Sequence, residues 1–235
     1  DSYEVGYKGD LLDDTLRVNA AFFFTDFSNV VRSQVVRVVD EQGNPDQETQ
    51  FRNIAGAESK GIELELTWLA TSQLSFDLNA SWLDSDYTEF LTDLDGGSGV
   101  ANDPSCLNVD EVGNDDAKCL GIEPNFAPEW QIGAGATYEW LLPNGASLAI
   151  RGFLHWQPEY QYSVFNSDFT QPEERTLLDA SITLNDAQDR WKLVVFGKNL
   201  TSEVYRVAGN SVAGLWNFSA YGPRQRFGAE LTVNF

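Results

Sequence analysis

The chain has 235 residues, 36 acidic and 15 basic, for a formal charge of −21 at pH 7. A nucleic-acid partner is disfavoured, because a phosphate backbone would be repelled by that charge. Disorder is disfavoured by an aromatic content of 13%, with 7 Trp, and a spanning helix by apolar runs far short of the ~20 residues it needs.

From the N-terminus, the chain opens Asp1-Ser2-Tyr3 and holds no Met. With no charged-then-apolar leader ahead of it, this reads as a processed or excised product. A first strand is predicted near 2–9, before the breaker Gly9-Asp10-Leu11-Leu12-Asp13, and a second near 14–39. A longer break at 40–48 leads to a third near 49–70. There Ile62, Leu64, Leu66 and Trp68 alternate with Glu63, Glu65 and Thr67. Thr71-Ser72-Gln73 separates it from a fourth near 73–90, where Leu74 to Trp82 alternate without an error. The long segment 91–124 follows, then a fifth strand near 125–141 with Trp130, Ile132, Ala134, Ala136, Tyr138 and Trp140 on one parity.

Leu142-Pro143-Asn144-Gly145 has turn chemistry and precedes a sixth strand near 145–160. The loop 160–172 leads to a seventh near 173–185, and Asn185-Asp186-Ala187-Gln188-Asp189 to an eighth near 190–206. After the loop 207–219, a ninth is predicted near 219–235, with Phe227, Ala229, Leu231, Val233 and Phe235 on one parity. A period of two over such lengths gives strands with one apolar and one polar face. The fold class is all-β and antiparallel.

Short breakers and long ones alternate along the chain, so one end of the sheet carries tight turns and the other long loops. That asymmetry, with a lipid-facing band between aromatic girdles, belongs to outer-membrane barrels. Trp68, Trp140, Trp191 and Phe235 fall beside the short-turn end. Trp130 and Trp156, with Tyr87 and Phe90, fall near the long-loop end, and the five Trp residues are expected to form the membrane girdles. A soluble sandwich also alternates, but its strands are shorter than several of these. Bacterial single-chain barrels have an even strand number, so nine strands are read as the C-terminal part of a larger barrel.

Five segments carry a family resemblance. Tyr3-Glu4-Val5-Gly6-Tyr7-Lys8-Gly9 resembles the "E-x-G-x-K" strand of TonB-dependent outer-membrane receptors, and Leu16 to Phe27 resembles the strand that follows it in that family. Asn53 to Glu65 is similar to the "N-x-G-x-A-x-x-K-G-x-E" strand. Lys198-Asn199-Leu200-Thr201-Ser202-Glu203-Val204-Tyr205 resembles the "N-L-T/F-x-x-x-Y" segment. Pro223-Arg224-Gln225-Arg226-Phe227-Gly228 resembles "P-R-x-Y/F-G", with one extra residue before the aromatic.

The resemblance covers almost the whole chain. It implies the last nine strands of a 22-stranded barrel with a plugged lumen, in a bacterial outer membrane, with long loops extracellular and short turns periplasmic. It further implies a receptor importing a scarce substrate, a ferric siderophore by default, with energy delivered by the TonB complex through the plug. The plug and its TonB-contacting box are absent from these residues. A passive porin is the alternative within the membrane class.

The same resemblance gives Gly228, Leu231, Val233 and Phe235 the role of a terminal signal read by the barrel-assembly machinery. Cys106 and Cys119 are the only cysteines, and an even count in an oxidising surface context predicts one disulfide. Their loop holds Asp93, Asp95, Asp103, Asp110, Glu111, Asp115 and Asp116. A calcium site is conceivable there, but a solvated acidic loop is the commoner meaning, so no metal is assigned. His155, the single histidine, is placed on the polar face beside neither a nucleophile nor an acid arranged as a triad. Glu63 and Glu65 share that face, where plug contact or water fits better than acid–base chemistry. No enzyme and no cofactor are expected. Tyr160, Tyr162, Phe165 and Phe169 in one loop, and Trp216 with Phe218 in another, offer aromatic surface to a small-molecule ligand. Packing of the loops, or a place in the outer girdle, explains them equally well.

Overall fold

The structure, a computed structural model, describes residues 1–39, 41–90, 124–162, 171–212 and 216–235. Eleven strands follow one another: β1 (Ser2–Leu11), β2 (Leu16–Val39), β3 (Pro45–Leu69), β4 (Leu74–Phe90), β5 (Trp130–Leu141), β6 (Ser147–Gln157), β7 (Arg175–Asn185), β8 (Trp191–Lys198), β9 (Arg206–Val212), β10 (Trp216–Tyr221) and β11 (Arg226–Val233). Nine form one antiparallel sheet in the order β1-β2-β3-β4-β5-β6-β7-β8-β11, and β9 and β10 pair as a separate hairpin. The nine-strand meander is the expected one, with differences at its connections.

The short turns sit where local chemistry allows a reversal. Leu142 and Ala146 close a loop in which Gly145 adopts φ +84° and Ala146 N–H donates to Asn144 Oδ1. The first turn lies later than expected, because Gly9 and Asp10 remain in the ladder opposite Val18 and Arg17. The chain reverses instead through Leu12, Asp13 and Asp14, all at positive φ, where Asp is better tolerated than most residues. The 40–48 break is shorter than expected, since β2 and β3 stay paired out to Val39 and Pro45 and Pro45–Glu48 already belong to β3. The eighth strand ends at Lys198 rather than near 206, and the ninth is split between β10 and β11. Asn199 at φ +52° and Ser202 at φ +56° turn the chain out of the sheet, and Pro223, which lacks an N–H, interrupts the return.

The register gives the sheet two unlike faces. Across β2, β3, β4 and β5 the cross-strand sets Phe22–Ile62–Trp82–Trp130 and Leu16–Trp68–Phe76–Ala136 share one side. Further along, Tyr138–Ile150–Ile182–Val195–Ala229 and Trp140–Leu148–Leu184–Leu193–Leu231 continue that side. No described element covers this apolar face, and Ile62, Trp130, Ile150, Ile182 and Leu231 are exposed. At ~4.8 Å between strands its area is on the order of 1,000 Å², above what a water-soluble surface presents as one patch. The opposite face carries Glu63, Glu65, Asn79, Asp77, Thr137, Arg151, His155 and Asp179.

Hydrogen-bonded rows also climb across the sheet. The row through Leu16, Trp68, Phe76, Ala136, Gly152, Ala180, Gly197 and Phe227 starts on the first residue of β2, at the short-turn end. It reaches β11 at Phe227, near that strand's long-loop end. This is about one residue of stagger per strand, or ~3.4 Å of rise per ~4.8 Å of width, a tilt of about 35°. A sheet that closes into a barrel needs such a stagger. From Trp130 to Trp140 the same tilt gives a height of about 28 Å, close to a bilayer core.

Candidate functional site

At the long-loop end, side chains tie the loop roots together. Tyr162 is buried, and its hydroxyl donates to the Arg206 carbonyl at 2.6 Å. Its ring lies 5.6 Å from Phe126 and meets Tyr160 edge-on at 5.2 Å. Burial pushes the Tyr162 phenol above its usual range, and the hydrogen bond with Tyr160 adds to this. Arg206 donates to the Gln171 carbonyl at 2.6 Å, and Arg175 covers the Tyr205 ring at 5.1 Å.

A second knot sits where β8 leaves the sheet. Asn199, 4% exposed, donates through Nδ2 to the carbonyls of Glu203 and Pro223 and accepts the Glu203 N–H on Oδ1. Its own N–H goes to Asp179 Oδ1, whose other oxygen accepts from Lys198 Nζ at 2.9 Å. The left-handed φ and these bonds explain why an Asn suits this corner.

On the polar face, Arg151 grips Asp77 with two hydrogen bonds, of 2.6 and 2.8 Å, and donates to Thr137. The pair reaches from β4 to β6 over Gly135 of β5. A Cβ at Gly135 would fall 2.6 Å from the carboxylate and 2.7 Å from the guanidinium, so any side chain there crowds the pair. On the same face lie two hollows of about 330 and 530 Å³, both lined by Glu63 and Glu65. His155 lines the smaller one with Phe153. Among the described residues no group of three or more His, Cys, Asp or Glu is placed to hold a metal. Chemically the wall can hold water or a polar partner by hydrogen bonds and charge.

Of the ligand-binding candidates, Tyr160 lines an open cleft of about 580 Å³ with Trp82, Asp84, Asp86, Glu129 and Gln171. Tyr162 is turned into the loop roots. Trp216 opens β10 opposite Val212, while Phe165 and Phe169 lie outside the described residues, as do Cys106 and Cys119. Trp68 stacks on Phe76 at 5.7 Å and Trp140 packs against Tyr138 at 4.4 Å. Trp191 pairs with Val233 and Trp156 with Ile132, all on the apolar side. Tyr87 differs: an odd spacing from Trp82 turns it to the other face, where it is 2% exposed opposite Ala57. In β11, Leu231 and Val233 point to the apolar side, Gly228 lies opposite Phe196 on the polar side, and Phe235 is exposed beyond the strand. Sequence reading missed Asp179, Arg206 and the Asp77–Arg151 pair, since cross-strand partners 74 residues apart leave no local signal. Asn199 was visible only as part of a motif.

Comparison with known proteins places this geometry. The family model described as "TonB dependent receptor-like, beta-barrel" matches residues 1–234. A curated relative, the probable TonB-dependent siderophore receptor PiuA of Acinetobacter baumannii, is 28% identical over 139 residues, covering 58% of this chain and 17% of the relative. Among solved structures, the ferric yersiniabactin uptake receptor FyuA from Yersinia pestis is similar with a TM-score of 0.71 at 18% identity, over 100% of this chain and 29% of that one. The siderophore receptor PiuA from Acinetobacter baumannii gives 0.62 at 19% identity, over 98% and 27%. The copper transporter OprC gives 0.61 at 14%, over 100% and 30%. The chain thus spans less than a third of the length of these relatives.

Proposed function

We propose that this chain, which belongs to the TonB-dependent receptor β-barrel family, is the C-terminal part of the barrel of an outer-membrane receptor for a ferric siderophore. The carrying observation is the family match over residues 1–234, on a sheet whose apolar face runs unbroken across nine staggered strands. In this reading the apolar face meets lipid and the polar face lines the lumen. Trp68, Trp140 and Trp191 form the periplasmic girdle and Trp130 and Trp156 the outer one, with long loops outside and short turns in the periplasm. The plug, contributed by residues outside this chain, would contact TonB, which couples import to the inner-membrane proton gradient. Siderophore is favoured over other cargo by the likeness to PiuA, a probable siderophore receptor, and to FyuA, a ferric yersiniabactin uptake receptor.

The remaining roles follow from position. Gly228, Leu231, Val233 and Phe235 serve as the signal for the barrel-assembly machinery, and Tyr160 and Trp216 contact ligand at the long-loop end. The test is uptake of radiolabelled ferric siderophores by cells whose only such receptor is the full-length protein, with and without TonB. Uptake that needs TonB and weakens on Tyr160→Ala with Trp216→Ala supports the reading. TonB-independent uptake with open conductance in planar bilayers would establish a porin instead.

A further inference from the structure

Among the described residues the β9–β10 hairpin forms no ladder with the nine-stranded sheet, so other contacts fix its position. Those contacts converge on Tyr162 and Arg206. The Tyr162 hydroxyl, from the loop after β6, holds the Arg206 carbonyl at the first residue of β9. The Arg206 guanidinium returns to the Gln171 carbonyl, on the far limb of the same loop, and lies 3.6 Å from the Glu173 carboxylate. The limb before β5 joins through Phe126, whose N–H donates to the Gln161 carbonyl at 2.8 Å while its ring packs on Tyr162. Tyr205 completes the set, stacked under Arg175 and accepting the Gly222 N–H from the chain returning toward β11.

We propose that these bonds clamp the roots of three long loops into one unit, so that the β9–β10 hairpin cannot shift without moving residues 171–175 and 124–129. The clamp is reciprocal: a residue of the β6–β7 loop donates to Arg206, and Arg206 donates back to that loop. Neither bond survives a displacement of the other partner. Loosening is costly, because Tyr162 is buried and its hydroxyl would lose its partner with little water to replace it. Local stability is then shared across the three roots instead of being set loop by loop. Tyr162 is thereby a positioning residue, distinct in role from Tyr160 on the open cleft. The inference concerns loop coupling and holds for any cargo, so its outcome is separate from that of the transport assay.

Amide hydrogen exchange on the full-length receptor in detergent tests it, with Tyr162→Phe removing one hydroxyl. Exchange is expected to rise together, by at least about five-fold, at residues 171–175 and at Arg206–Val212. Tyr138→Phe, which removes a hydroxyl bonded to Gln73 at the short-turn end, should leave both segments at the wild-type rate. Should Tyr162→Phe fail to assemble, Arg206→Gln cuts the returning arm and calls for the same paired increase. Wild-type exchange in both segments, or loosening in one alone, would overturn the clamp.

Discussion

Gly135 lies under an interaction between two other strands. The Asp77–Arg151 pair is bidentate but part-exposed, with Arg151 at 39% and Asp77 at 27% side-chain exposure. After discounting for solvent screening it contributes about 1 kcal/mol. Gly135→Ala brings a methyl against the tips of two flexible side chains, and the lost contact is offset by about 0.4–1 kcal/mol from restricting the unfolded chain. The net change should stay within about 0.5 kcal/mol. Gly135→Leu leaves no path for the pair and should cost about 1–2 kcal/mol.

The sharper readout is a cycle with Asp77→Asn, followed by urea unfolding of the full-length receptor in phospholipid vesicles. Asp77→Asn should cost about 1 kcal/mol when Gly135 is intact and close to zero in the Gly135→Leu background, because the pair is already broken there. An equal cost in both backgrounds would refute the claim that the pair passes over a bare backbone.

Other consequences are tested the same way. Leu154→Arg, on the apolar face, should destabilise the receptor in vesicles by about 2–4 kcal/mol, whereas Thr183→Arg on the polar face should cost under about 1 kcal/mol. Asn199→Ala removes bonds to Glu203 and Pro223 at a left-handed φ and should cost about 2–3 kcal/mol in the same unfolding assay. At the turn before β8, the Arg190 guanidinium lowers the Asp186 carboxyl from its ordinary 3.8 to about 2. Its contribution is therefore full above about pH 4 and lost as pH falls toward 2. The stability difference between wild type and Asp186→Asn should be constant from pH 7 to 5 and shrink across that window. Deleting Phe235 should lower the yield of heat-modifiable barrel in outer membranes, and an unchanged yield would remove its role in assembly.

The strand meander was legible because lipid and lumen impose a period of two, and Ile62 to Trp68 or Trp130 to Trp140 obey it with no exceptions. Turns with Asn or Gly at a left-handed position, such as Asn144-Gly145, were legible for the same local reason. The exit at Asn199 was not, since the residues after it are as strand-compatible as those before. Only the bonds from Asn199 to Asp179, Glu203 and Pro223 make the turn the better state. Tyr87 does lie near the long-loop end, but its parity relative to Trp82 turns it to the other face. For Tyr162 composition left ligand contact and loop packing even, and the Arg206 carbonyl that accepts from its hydroxyl lies 44 residues away. The aromatic content of a loop cannot distinguish a surface that waits for ligand from one that fastens the loop.

The most direct test of the account is the environment of each residue along β6 in the full-length receptor in bilayers. Spin labels placed singly from Leu148 to Trp156 would be read for collision with oxygen, which concentrates in lipid, and with a polar nickel chelate. The account predicts strict alternation, with oxygen contact at 148, 150, 152, 154 and 156 and little at 149, 151, 153 and 155. Uniform accessibility, or oxygen contact on the parity of Arg151 and His155, would contradict a lipid-facing barrel wall and with it the receptor built on that wall.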